Sequence, residues 1–348
     1  MDYLPLGNTG LYVSRFCLGA MTFGEKDQKQ SAWIGNEGQE AANRMVATCL
    51  DAGINFFDTS NAYGYGTSER MLGKALAGKR EDAIIATKVY FPSSGDVNRL
   101  GASRLAIMRE VEGSLERLGT DRIDLYQLHQ WDSSTPIEET LRALDDCVKQ
   151  GKVRYIGLCN SSAWQIAKAD GVARLIGTER FCSVQAYYSL VGRELEWDII
   201  PATKDLGLGT MIWSPLAAGY LSGKYTGDDA SQGRRSAMEF PPVDFEQGAE
   251  IISVLRDIGE AHGGASPSRV ALSWLLHQDG VTSVIIGARK QEQLEDNLEA
   301  IDLKLGDDEL NKLNEVSARF PVYPGWMPDM QRGQDFGAAL EHSKTVMS

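Results

Sequence analysis

Eight short apolar runs, separated by longer segments of 3.6-residue periodicity, recur between about residue 16 and residue 300 of the 348-residue chain. The runs are Arg15–Leu18, Ile54–Phe57, Ala83–Thr87, Ile123–Leu128, Val153–Leu158, Cys182–Gln185, Gly209–Trp213 and Ser283–Ile286. They are nearly continuous in apolar residues, as parallel strands covered on both faces must be. The segments between them, such as Arg104–Arg117, Pro136–Gln150, Ala163–Leu175 and Gln291–Ala300, carry helical spacing. Eight strand–helix repeats predict an α/β fold, a closed (β/α)8 TIM barrel rather than an open sheet. One helix start is explicit: Ser134-Thr135 precede Pro136 and Glu138, with proline expected near the first helical position. YLPLGNTGLYV, ahead of the first run, reads as a β-hairpin placed to plug the barrel's N-terminal mouth.

No linker divides the chain, so residues 1–348 are expected to form one domain, with a barrel core of about 15–301 and a tail of 302–348. Glu25–Gln39, Phe91–Gly101, Thr226–Asp244 and the segment after Arg319 are polar or rich in Gly and Pro, the composition of surface loops that shape a pocket. A formal charge of −13 argues against general attraction to nucleic acid, though a few local cations can still hold a small anion. Five scattered cysteines form no CxxC or Cys/His grouping, which fits a reducing compartment and gives no metal signal. With neither an N-terminal signal core nor a membrane-length apolar run, the expected location is the cytoplasm.

In such a barrel, chemistry sits where the strands end. The second run ends at Asp58, with Tyr63 on the loop beyond; the third ends at Lys88 and the fourth at His129. Alone, each has an ordinary explanation: an Asp that caps a helix, a packed Tyr, a solvated Lys, a half-buried His. Together, on adjacent strands of one rim, they suit proton donation to a carbonyl. A phenol donates poorly near neutrality unless its anion is stabilised, which a Lys88 ammonium held charged by Asp58 would do. His129 could orient the substrate oxygen or share the proton. The set holds no activated nucleophile and no metal grouping, so the electrons must come from a cofactor.

A dinucleotide fingerprint is absent, since LGAMTFG from Leu18 has only Gly19 and Gly24. The fifth and sixth runs expose Cys159, Asn160 and Gln185, amides that match a carboxamide, and Trp213 offers a flat face for a ring, although core packing explains it equally well. Gly287, Arg289 and Lys290 open a helix after the last run, where free backbone N–H groups and two cations would make an anion site or merely a solvated start.

GINFFDTSNAYGYGTSERMLGKAL, DLYQLHQWD, KVRYIGLCNSS, WSPLAAGYLSGKY and IIGARKQEQLEDNL together resemble the aldo-keto reductase family over roughly Leu4 to Asn314. The strand-seven motif is similar to the branch that holds bacterial members and the β subunits of voltage-gated potassium channels. The resemblance implies NAD(P)H-dependent interconversion of an aldehyde or ketone and its alcohol, with Asp58, Tyr63, Lys88 and His129 as the catalytic tetrad and Tyr63 as the acid. It implies a cofactor lying along Ala20, Met21, Asp58, Cys159, Asn160, Gln185 and Trp213, with Ser214, Pro215, Leu216, Ala217, Gly219 and Lys224 at the pyrophosphate. Gly287, Arg289, Gln293, Asp296 and Asn297 would meet the adenosine half, and Arg234 or Arg235 would help hold it. Two departures bear on this. Cys159 stands where the family usually has Ser, and Gly287 where many members carry a Lys for the 2′-phosphate. The expected cofactor is NADP(H), resting on Arg289 with Arg234 or Arg235, and NAD(H) stays open. The expected partner is a small carbonyl or alcohol, with no nucleic acid or membrane and homo-oligomerisation left open. Rival readings are a redox-sensing NADPH-binding subunit with little turnover, against which His129 stands, and a barrel hydrolase or lyase, for which paired carboxylates or a metal cluster are missing. Trp33, Tyr90, Trp131 and Trp326 are candidate aromatic walls for the substrate.

Overall fold

Strands that are apolar on both faces leave no face for water, and the chain meets this by closing its sheet. The computed structural model describes residues 1–25, 37–224 and 239–327. Eight parallel strands form a closed barrel: β3 (Phe16–Gly19), β4 (Phe56–Asp58), β5 (Ile84–Val89), β6 (Ile123–Leu128), β7 (Val153–Cys159), β8 (Ser183–Tyr187), β9 (Gly209–Trp213) and β10 (Ser283–Ile286), which pairs back onto β3. All eight apolar runs are barrel strands, none of their ends shifted by more than two residues. Around them lie α1 (Gln39–Asp51), α2 (Thr67–Ala75), α3 (Arg104–Leu118), α4 (Ile137–Lys149), α5 (Ala163–Ile176), α6 (Ile199–Leu206), α7 (Phe245–Ala261), α8 (Pro267–Leu276), α9 (Gln291–Leu298) and α10 (Asp307–Val316). Helix α4 starts one residue later than expected: Pro136 is its N-cap, and Asp132 accepts from the Ser134 amide and the Thr135 hydroxyl instead of either capping the helix.

Alternation along each strand sorts the residues into two cores. Phe57, Ile85, Tyr126, Leu158, Val184 and Ile212 point out against the helices. Cys17, Phe56, Ala86, Leu125, Met211 and Ile285 point in and fill the lower half of the barrel. The hairpin of β1 (Tyr3–Pro5) and β2 (Tyr12–Ser14) closes that lower end, with Leu6 and Val13 buried against the inner cluster. Its turn lies so close to the barrel that a Cβ on Gly7, at φ +61°, would stand 2.5 Å from the Cys182 carbonyl oxygen. The expected plug is therefore present at the barrel's lower end.

Gly73 shows how tightly the helix ring is packed. A Cβ there would lie 2.2 Å from the Leu118 carbonyl oxygen at the end of α3, and backbone cannot swing away as a side chain does. Gly73→Ala should gain about 1 kcal/mol of helix propensity, yet lose about 1–3 kcal/mol to overpacking. Urea denaturation checks the sign: a net gain would show that α2 and α3 separate freely.

No described helix is long and apolar enough to cross a membrane, and no His/Cys/Asp/Glu group able to hold a metal occurs among the described residues. All five cysteines are free and buried.

Candidate active site

The inward side chains change character toward the upper rim. Above Phe56, Ala86 and Leu125, the next inward positions on the same strands are Asp58, Lys88 and Gln127, and on β7 and β8 they are Cys159 and Gln185. Lys88 is level with Gln127 and Cys159 with Gln185 in the strand register. A polar layer thus sits on an apolar one because a strand places every second residue on the same face.

Lys88, fully buried, donates from Nζ to Asp58 Oδ1 at 2.5 Å, to the Thr59 carbonyl at 2.8 Å and to the Tyr63 hydroxyl at 3.3 Å. Its ammonium also stands 4.9 Å from the Tyr63 ring centroid. Burial opposes the Lys88 charge, but Asp58 first, then Tyr63 and Cys159, outweigh it and hold the ammonium above the usual lysine range. For Tyr63 burial dominates, and Lys88 offsets only part of it, so the phenol is held above its ordinary value. His129 is half-buried, edge-on to Tyr63 at 5.8 Å, with Nδ1 3.2 Å from Ser60 Oγ. Burial, then the Lys88 charge, push its pKa well below the usual imidazole value, so it is neutral near pH 7.

Three residues beyond those read from strand ends, Gln127, Thr59 and Ser60, belong to the cluster, and Gln185 has a role there beyond the one expected. Gln127 and Gln185 both donate to Asp58 Oδ2, at 3.0 and 2.9 Å, so the carboxylate has Lys88 on one oxygen and two amides on the other. The Thr59 carbonyl and the Ser60 hydroxyl complete the contacts to Lys88 and His129. Gln127 was findable from the sequence, because it lies two residues before His129 on one strand face.

The backbone marks the same rim. Among the described residues, non-glycine positions with positive φ are Tyr65, Tyr90, Asn160, Ser214, Ala217 and Ala218. All six lie on loops that leave the C-terminal ends of β4, β5, β7 and β9. Such conformations cost energy and persist where the surroundings impose them, commonly at functional sites.

Around this mouth lie the residues expected at a cofactor. Asn160 is exposed; its Nδ2 donates to the His129 carbonyl at 3.0 Å and its Oδ1 accepts from Trp213 Nε1 at 3.0 Å. An amide has two N–H groups and two lone pairs, so one of each is left, among the described residues, to meet a carboxamide. Trp213 is half-buried between its neighbours Tyr187 and Phe240, at 5.1 and 5.6 Å. Cys159 is buried with Sγ 3.6 Å from Gln127 Oε1, and burial pushes its thiol far above the ordinary value. Ala20 is buried and Met21 half-buried at the end of β3. Ser214, Pro215, Leu216, Ala217 and Gly219 form the turn after β9, and Lys224 is exposed beyond it. Gly287 has open space above it, with only the Gly19 carbonyl within reach of a Cβ, at 3.7 Å. Arg289 and Lys290 flank the start of α9, but their backbone N–H groups, expected to be free, both point at Gln293 Oε1. Asp296 is engaged by Ser266 and Arg269, and Asn297 is buried. Arg234, Arg235 and Trp33 lie outside the described residues. Of the other candidate walls, Tyr90 packs on Phe91, Trp131 on Trp164 and Trp326 on Tyr323.

Residues 15–318 match the family model described as "Aldo/keto reductase family". The chain is 38% identical to "Uncharacterized oxidoreductase YrpG" of Bacillus subtilis (strain 168), over 94% of this chain and 99% of that protein. It is 32% identical to "Versiconal hemiacetal acetate reductase" of Aspergillus parasiticus, over 93% and 99%. Against "Probable voltage-gated potassium channel subunit beta" of Oryza sativa subsp. japonica it is 33% identical, over 87% and 92%. With the closed barrel and the polar mouth already in place, these matches settle the family: the chain is an oxidoreductase that belongs to the aldo/keto reductase family.

Proposed function

We propose that the chain is an NADP(H)-dependent reductase that interconverts an aldehyde or ketone and its alcohol, with Tyr63 as the proton donor. The observation that carries this reading is the Tyr63 hydroxyl lying 3.3 Å from a buried Lys88 ammonium at the barrel's open end. Raised by burial, Tyr63 keeps its proton near neutrality; as the proton leaves for a carbonyl oxygen, the ammonium beside it stabilises the phenolate. Asp58, fixed by Gln127 and Gln185, keeps Lys88 charged and in place. The neutral His129 ring borders Tyr63 and orients the oxygen. A nicotinamide held at this mouth would supply hydride to the carbonyl carbon. Asn160 would hold its carboxamide with its remaining N–H and lone pair, Trp213 would flank the ring, and Arg289 and Lys224 would answer the phosphates. The choice of NADP(H) over NAD(H) rests on Arg289 in this reading.

The test is a panel of aldehydes and ketones run with NADPH and with NADH, following the cofactor's absorbance. Turnover with NADPH is expected, and Arg289→Ala should raise the NADPH KM by about tenfold, the loss of one charge-assisted contact, while leaving that for NADH nearly unchanged. Equal effects on both would remove Arg289 from phosphate selection, and no oxidation of either cofactor would end the reading. The rice relative's name brings a second reading, a cofactor-binding regulatory subunit. Tight NADPH binding with negligible turnover across the panel would favour it.

A further inference from the structure

Outside the catalytic cluster, one buried carboxylate gathers groups from segments bordering the mouth. Glu110, on α3, is fully buried. Its Oε1 accepts from Ser93 Oγ at 2.9 Å and from Arg99 Nη1 at 2.8 Å, and its Oε2 accepts from Asn61 Nδ2 at 2.8 Å. Arg117, from its own helix, stands 3.8 Å off Oε2. Asn61 belongs to the short stretch between Asp58 and Tyr63, and Nδ2 also donates to the Phe91 carbonyl at 2.9 Å. Ser93 and Arg99 sit near the two ends of the loop that follows β5. Phe91, where that loop begins, sets its ring edge-on against His129 at 5.0 Å. The loop's base is closed by the Gly101 amide donating to the Tyr90 carbonyl at 2.8 Å.

Between those ends the loop makes one short turn, Val97–Arg99, capped by Asp96 Oδ1 accepting from the Asn98 amide at 2.9 Å, and an exposed ion pair from Arg109 to Asp96 at 3.2 Å is its other tie to α3. Val97 is 81% exposed and Leu100 51%, so apolar packing fixes neither. A buried carboxylate is an expensive way to fill space, since a well-packed apolar residue in its place is often as stable or more so. What it provides that an apolar group cannot is direction: three donors from two separate loops meet on one pair of oxygens. One of those loops carries Phe91 to His129, and the other carries Ser60 and Tyr63.

We infer that Glu110 is a positioning residue for substrate selection: it seats the 91–100 loop so that Phe91 stands against His129, and thereby sets the shape of the mouth offered to the substituent on the carbonyl carbon. The inference rests on the proposed reading of the Tyr63 cluster as a carbonyl-reducing centre. A wall held in place favours a flat, rigid substituent that fills the gap beside Phe91. A short straight chain does not reach that wall and is indifferent to it.

Glu110→Gln tests this at nearly constant volume, because the new amide cannot accept from both Asn61 and the loop. The readout is the ratio of kcat/KM for an aromatic aldehyde to that for a short straight-chain aldehyde, which does not depend on how much of the protein is folded. The ratio should fall about tenfold, the scale on which pocket contacts discriminate. Arg99→Met, which removes a half-exposed partner and leaves the core intact, should move it in the same direction. Hydrogen–deuterium exchange at residues 93–100 should quicken in Glu110→Gln while the barrel strands stay protected. An unchanged ratio in both variants, or unchanged exchange in the loop, overturns the inference. If the wild type turns over neither aldehyde although Glu110→Gln still loosens the loop, the fault lies in the reading of the Tyr63 cluster and not in the anchoring.

Discussion

Tyr63→Phe should lower kcat by about 10²- to 10⁴-fold, the usual worth of a positioned general acid, while leaving cofactor binding intact. Only the hydroxyl is lost, and it makes one bond to Lys88, which keeps Asp58 and the Thr59 carbonyl. The ring still packs edge-on to His129, so folding should be little changed. The measurement is steady-state turnover of an aldehyde, beside cofactor titration and thermal unfolding of the same variant. A variant that turns over at the wild-type rate would remove Tyr63 from the chemistry.

The second large effect concerns stability and is asymmetric. Asp58→Ala strands the Lys88 ammonium in the barrel and should cost about 3–5 kcal/mol, the range for breaking a buried pair from one side. Lys88→Met should cost less, because Asp58 keeps two amide donors from Gln127 and Gln185. The pH dependence has a definite sign. The folded-state pKa of Lys88 lies above its ordinary value of 10.5, so the pair's contribution is complete below that value. It is lost as pH rises beyond 10.5 toward the folded-state value. Urea unfolding of wild type and Lys88→Met below and well above pH 10.5 should therefore show the two curves converging in alkali. Equal losses for both substitutions would mean that the two glutamines do not sustain the carboxylate.

Much of this was legible in the sequence because two periods carry it. Nearly continuous apolar runs betray strands covered on both faces, and the residue ending each run marks the rim, which gave Asp58, Lys88 and His129. Hidden were the contacts made by residues that end nothing. Gln127 lies inside an apolar run and shows itself only through the alternation of faces, and Ser60 looks like any loop serine until His129 is brought to it. At α9 the sequence displays two cations but not that Gln293 folds back onto their amides, since a side chain's choice of partner is decided by three-dimensional approach. Glu110 reads as one more acid on an amphipathic helix. Nothing along the chain announces that its neighbours come from two distant loops.

The hairpin beneath the barrel has a consequence for proton traffic. Leu6 and Val13 stopper the lower end, and the side chains packed above them are mostly apolar, poor stepping stones for water from below. On the proposed mechanism, a Tyr63 phenol that has given up its hydrogen is replenished through the same aperture by which reactants arrive and products depart. Recharging and release therefore share one corridor, and a lingering alcohol would delay both.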